Sequence, residues 1–170
     1  MGQQQLILLV LATVIVGLAI VVGIAAFTQG GDNANADAML QDAVTMANEI
    51  QSWAQTPAPF GGPAEDEDFT DATFAVLGRS AEAGDSADGL DATHSNLNGS
   101  YEITDRSTTT GVIIEGKSFE DDDTTVRNEV QVRLCGSRGD DQILGANITI
   151  GGQDTGTAAP PACPDDDADN

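Results

Sequence analysis

Residues 6–27 read LILLVLATVIVGLAIVVGIAAF, an apolar run interrupted only by Thr13 and free of charge. At about 1.5 Å of rise per residue the run predicts a helix of roughly 30 Å, the thickness of a bilayer's hydrocarbon core. It is long enough to span a membrane. The preceding MGQQQ has no Lys or Arg, so it lacks the basic region of an ordinary secretory signal. An Ala-x-Ala at residues 34–36 stands beyond the polar cluster TQGGDN, poorly placed for cleavage. The segment is therefore expected to be retained. Its orientation is not set by flanking positive charge, because the first basic residue is Arg79.

Working outward, a second helical pattern covers residues 34–54. Met39, Ala43, Met46, Ile50 and Trp53 alternate steps of four and three and form one stripe, widened by Ala36, Leu40, Ala47 and Ala54. This stripe is expected to pack on the head. Gln41, Asp42, Asn48, Glu49 and Gln51 fall on the other side and are expected to face away. Asp32, Asn33 and Asn35 are N-cap candidates, and Gly30 and Gly31 are expected to kink or loosen the junction, since each glycine weakens a helix interior by about 1 kcal/mol. Pro57, with Gly61 and Gly62 soon after, ends the pattern.

Residues 56–98 read as a long connection rich in Ala, Gly, Ser and Asp, with one apolar cluster at Phe74, Val76 and Leu77. His94, the only histidine, has no partners at a diagnostic spacing and is expected in a solvated loop. The clear strands follow. Tyr101 and Ile103 alternate onto one face; residues 111–118 hold Val112, Ile113 and Ile114; residues 126–135 place Val130, Val132 and Leu134 inward with Gln131 and Arg133 outward; residues 142–150 add a last strand through Ile148 and Ile150. Turn-rich segments between them predict an antiparallel meander. The fold class is α+β, a long N-terminal helix, apolar then amphipathic, packed on a small antiparallel sheet. Four regions result: 1–31 (membrane or filament-core helix), 32–55 (amphipathic helix), 56–98 (connection) and 99–170 (sheet with a tethered C-terminal region).

Charge narrows the function. Twenty-eight acids stand against six bases, for a net charge of −22. Phosphate binding needs clustered Lys and Arg, so a nucleic-acid partner is not expected. An Asp-rich surface with Lys117 as its only lysine suits concentrated salt, where screening relieves self-repulsion. Cys135 and Cys163 are the only cysteines. If the head is exported they are expected to pair, closing a loop worth roughly 3.5 kcal/mol; in a cytosolic protein they would be two free thiols. No zinc spacing occurs. The acid runs at residues 121–123 and 165–167 offer oxygen ligands to calcium, but neither has the alternating pattern of a calcium loop, and both read as solvated surface. No metal, cofactor or catalytic set is assigned, and an enzyme is the weakest reading.

An uncharged apolar helix starting near Leu6, an in-line amphipathic helix ending near Trp53, a connection, an antiparallel sheet and a C-terminal cysteine pair together resemble the bacterial type IV pilin and pseudopilin family. The resemblance covers the whole chain in architecture and is specific in sequence over about the first fifty residues. It implies a short class III leader removed after a Gly by a prepilin peptidase, a methylated mature N-terminus at Met1 or Gln3, and residence in the inner membrane. From there an assembly machinery would build a homo-oligomeric extracellular filament with bundled N-terminal helices at its core. Assembly contacts would then fall on Met1, Gln5, Leu6, Leu9, Val10, Gly17, Gly23 and Phe27, and the cysteine pair would resemble the family's D-region. The family's glutamate at the fifth mature position is absent: the residue is Gln5, or Ile7 if the chain begins at Gln3. The alternatives are a pseudopilin of a secretion system and a single-pass anchored surface protein whose head binds a ligand.

Overall fold

The structure, a computed structural model, describes residues 2–64, 69–82, 92–107, 111–119, 126–135, 142–150 and Cys163. It is the α+β arrangement that the sequence predicts. One helix, α1 (Gly2–Ala54), packs its C-terminal part on a five-stranded sheet. The strands are β1 (Thr93–Ser95), β2 (Ser100–Ser107), β3 (Gly111–Phe119), β4 (Val126–Cys135) and β5 (Gln142–Ile150). Their order in the sheet is their order in the chain, each antiparallel to the next, so the meander is as expected.

Two expectations about the helix are corrected. α1 runs unbroken through Gly30 and Gly31, and Asp32, Asn33 and Asn35 are interior helical residues rather than N-caps. Two glycines cost helix stability locally, but packing of the following stripe outweighs propensity, because tertiary burial decides most helices in proteins. The stripe itself also starts earlier. Asp32 is buried and stands four residues before Ala36, so the buried positions run 32, 36, 39, 43, 46 and 50 with helical spacing.

The core lies between this stripe and one face of the sheet. Met39, Ala43, Met46 and Ile50 are fully buried against Tyr101, Ile103, Val112, Ile114, Val130, Val132 and Leu134. Those strand residues are spaced by two, so each strand contributes one face. Gly116 interrupts that face for a reason: a Cβ there would lie 2.8 Å from the Tyr101 ring. Arg133, expected outward, is on the opposite sheet face yet buried, 3.5 Å from Asp105. Asp105 adopts φ 47° where the β2–β3 register shifts between Thr104 and Ser107.

The connection covers one further flank of the helix, and Asp37, Gln41, Thr45 and Asn48 stay exposed. A 3-10 turn (Ala58–Phe60) follows α1, and Trp53 Nε1–H donates to the Gly61 carbonyl at 3.0 Å. Phe69, Ala72 and Phe74 are buried in the core and Leu77 packs on it, whereas Val76 is exposed. β1 is a strand that sequence periodicity did not show, being three residues long; it brings His94 onto the sheet's first edge, opposite Tyr101. Cys135 and Cys163 form a disulfide with Cα atoms 5.6 Å apart. The acid runs at 121–123 and 165–167, and Met1, lie outside the described residues.

Candidate functional site: a free apolar arm and the polar clamps that hold it

Residues 2–31 of α1 make no burying contact with the head. They form an arm of about 45 Å. Fifteen of its large apolar side chains are exposed, from Leu6 at 65% to Phe27 at 87%. Gln5, Leu6, Leu9, Val10 and Phe27 lie on its exposed surface, and a Cβ at Gly17 or Gly23 would meet nothing within 4 Å. Removing this surface from water is worth on the order of 40 kcal/mol at about 25 cal/mol per Å². That exceeds the whole stability of an ordinary domain, so the arm requires an apolar environment. The helix is long and apolar enough to anchor the protein in a membrane.

Three polar clamps fix the rest of α1 to the head. At the arm's root Asp32 pairs with Arg127. Beside them the fully buried Asn128 donates from Nδ2 to the Asp32 carbonyl at 3.0 Å and to Asn35 Oδ1 at 2.8 Å, and its N–H donates to Ser118 Oγ at 3.2 Å. Asn35 Nδ2 in turn donates to the Asn98 carbonyl at 2.9 Å. The donors of one amide thus tie strand β4 to the helix backbone and side chain together.

The second clamp converges on Asp42, which the helical stripe had placed on the outward side. Its Oδ2 accepts from Asn96 Nδ2 at 2.8 Å, Asn98 Nδ2 at 2.8 Å and the Tyr101 hydroxyl at 3.0 Å. Burial alone would raise the Asp42 pKa, but donation from Asn98, Asn96 and Tyr101 and the charge of Arg79 outweigh it, holding the carboxyl below 3.8. Burial, then the Asp42 carboxylate, push the Tyr101 phenol well above its ordinary 10.0.

The third clamp corrects two further expectations. Glu49, also expected to face away, takes the Arg79 guanidinium in a two-pronged pair, Nε to Oε2 at 2.7 Å and Nη2 to Oε1 at 2.9 Å. His94 is not a solvated loop residue. Its Nδ1–H donates to the Ser80 carbonyl at 2.7 Å, which leaves Nε2 as the acceptor facing Arg79 Nη1 at 3.5 Å. Its ring lies 5.6 Å from that of Phe74 and 6.4 Å from that of Tyr101.

The sheet's outer face carries Glu115, Lys117 and Glu129. Lys117 Nζ pairs with Glu115 at 2.6 Å. Burial, then a hydrogen bond with Glu115 and that residue's charge, raise the Glu129 pKa above 4.5 against the opposing charge of Lys117. Among the described residues no group of three His, Cys, Asp or Glu is placed to hold a metal ion. The described bases are all engaged within the chain: Arg79, Lys117, Arg127 and Arg133 pair with acids, and Arg106 Nε donates to the Ala72 carbonyl at 2.7 Å.

Comparison with protein-family models, with curated proteins and with solved structures returned no match. The clamps were not read from the sequence, because their partners lie 30 to 96 residues apart. One signal was present: Asp32 falls on the apolar stripe, where a charge requires a buried partner.

Proposed function

We propose that the chain is a structural subunit of an extracellular type IV pilus-like filament, held by its arm in the inner membrane until an assembly machinery and prepilin peptidase have acted on it. The observation that carries this reading is the arm: an uncharged apolar helix, exposed on all sides and continuous with the head's core helix. Two surroundings can bury such a surface on every side, a lipid bilayer and a bundle of identical arms. Lipid tails are as apolar as leucine, so transfer from one to the other costs little hydrophobic free energy and is decided by packing and by the machinery that pulls. Small positions at Gly17 and Gly23, where a Cβ would meet nothing within 4 Å, favour close approach of neighbouring helices. The fibre's outside would then be acidic heads, kept apart by charge, with every described cation already engaged.

The fixed attachment of arm to head supports a filament more than a flexible tether does, since a helical polymer needs each subunit to present its head at one angle. Electron microscopy of sheared cell-surface material, with mass spectrometry of the N-terminus, tests the reading. Abundant fibres containing this chain, with a processed and methylated N-terminus, are the expected result. Recovery of the chain only as a membrane-bound monomer would overturn it and favour an anchored surface protein.

A further inference from the structure

The apolar run ends at Phe27, and the head's first buried residue is Asp32, five residues later. At 1.5 Å per residue that interval is roughly 7 Å. A bilayer has about 30 Å of hydrocarbon and 40–45 Å in all, so each headgroup layer is about as deep as that interval. A spanning arm therefore sets the head's near end at headgroup depth. Strand direction defines that end. β1 and β3 run towards Asp32 and β2 and β4 run away from it, because Ser118 is opposite Asn128, which bonds Asp32, and Asn98 bonds Asn35. The β1–β2 turn and the last residue of β3 thus lie on the arm's side of the head.

What they present there is unusual for so acidic a protein. Leu97, at the tip of the turn, is fully exposed, and Phe119 is exposed at the end of β3. With Asn35, Asn98, Ser118 and Arg127 they line an open cavity of about 420 Å³. The Arg127 side chain keeps 39% of its surface accessible while paired with Asp32.

We propose that this end of the head is a lipid-docking face, resting on the reading that the arm spans a membrane. Leu97 and Phe119 seat at the boundary between headgroups and acyl chains, and Arg127 meets a phosphate. The ligand class is a zwitterionic phospholipid. The net charge of −22, with Glu120, Asp121, Asp122 and Asp123 following Phe119 in the sequence, disfavours an anionic surface. Docking holds the head upright, with its near end on the membrane, before assembly and is lost when the arm is extracted.

Trp53 is the only tryptophan and lies about 30 Å up the helix from Asp32, so it serves as the distant reference. The full-length chain is reconstituted in two sets of phosphatidylcholine vesicles, whose lipids carry bromine either near the headgroup end of the acyl chains, to report position 97, or near the bilayer centre, to report position 18. Emission is compared for the parent, for Trp53→Phe with Leu97→Trp, and for Trp53→Phe with Leu18→Trp. Because Leu97 is fully exposed, its replacement leaves the fold intact. The expected result is bromine quenching and a blue shift at position 97, with quenching at least about half of that at position 18, and none in the parent. Quenching at 18 without quenching at 97 overturns the docking face and leaves the anchor standing. No quenching at either position overturns both. A blue shift at 97 that ignores bromine but grows with protein density assigns the face to a second copy of the chain and also overturns the proposal.

Discussion

Asn128→Ala is the perturbation that best separates buried hydrogen bonding from surface ion pairing at the arm's root. Asn128 is fully buried, and its amide donates to the Asp32 carbonyl and to Asn35 Oδ1. Truncation removes two hydrogen bonds, each worth about 1 kcal/mol net. It also strips the Asn35 acceptor of a donor in a half-buried place and leaves a small void, adding about 1 kcal/mol more. The expected loss is about 3 kcal/mol. Arg127→Ala, one residue away, removes an ion pair whose guanidinium is 39% exposed; such pairs contribute about 0–1 kcal/mol. Thermal unfolding in detergent, followed by Trp53 emission, reads both. At roughly 3–5 °C per kcal/mol for a head of this size, Asn128→Ala should lower Tm by about 9–15 °C and Arg127→Ala by less than 5 °C. If the two losses are equal, or Arg127→Ala is the larger, the assignment of the root's stability to the buried amide is wrong.

Other consequences follow from the same geometry. Gly116→Ala puts a Cβ 2.8 Å from the Tyr101 ring and should destabilise by about 1–3 kcal/mol, read by denaturant unfolding. Reducing the Cys135–Cys163 bond, which closes a separation of 28 residues, should cost about 3.5 kcal/mol, seen as a lower denaturation midpoint in reductant that a Cys163→Ser variant reproduces. Glu129 has a folded pKa raised above 4.5, so its contribution is fully favourable below that value and is lost as pH rises through the folded pKa. Glu129→Gln should therefore stabilise the head at pH 7, by less than about 1 kcal/mol given its partial exposure, and bring no gain at pH 4. Asp42 is the reverse: its lowered pKa gives stability present above 3.8 and lost as pH falls through the folded value, so Asp42→Asn should flatten the acid limb of the melting curve.

The architecture was legible because its two periodicities are clean. The stripe through Met39, Ala43, Met46 and Ile50 repeats at 3.6, and Val130, Val132 and Leu134 repeat at two; both are core faces. What escaped is what periodicity does not encode. The helix junction was misread because Gly30 and Gly31 carry a local signal that long-range packing overrides. Asp42 and Glu49 read as outward because the stripe marks only the face buried on the sheet, whereas Asn96, Asn98 and Arg79 of the connection and the Tyr101 hydroxyl of β2 cover a second flank. His94 fell in a three-residue strand, too short for alternation to register.

Those misread residues share a role. The apolar stripe alone would hold α1 against the sheet but would leave it free to slide by a turn, since methionine and alanine side chains pack acceptably in more than one register. Asp32, Asn35, Asp42 and Glu49 remove that freedom. They lie on one helix over some 25 Å and engage the sheet at Asn128 and Arg127, the β1–β2 turn at Asn96 and Asn98, and the connection at Arg79. Sliding by one turn would break every one of these bonds at once and leave buried donors and acceptors without partners, a cost of several kcal/mol. The hydrophobic contacts supply most of the attraction and the clamps supply the register. An arm gripped at one register points in one direction from its head, and that fixed direction is the property that a helical assembly of such subunits would use.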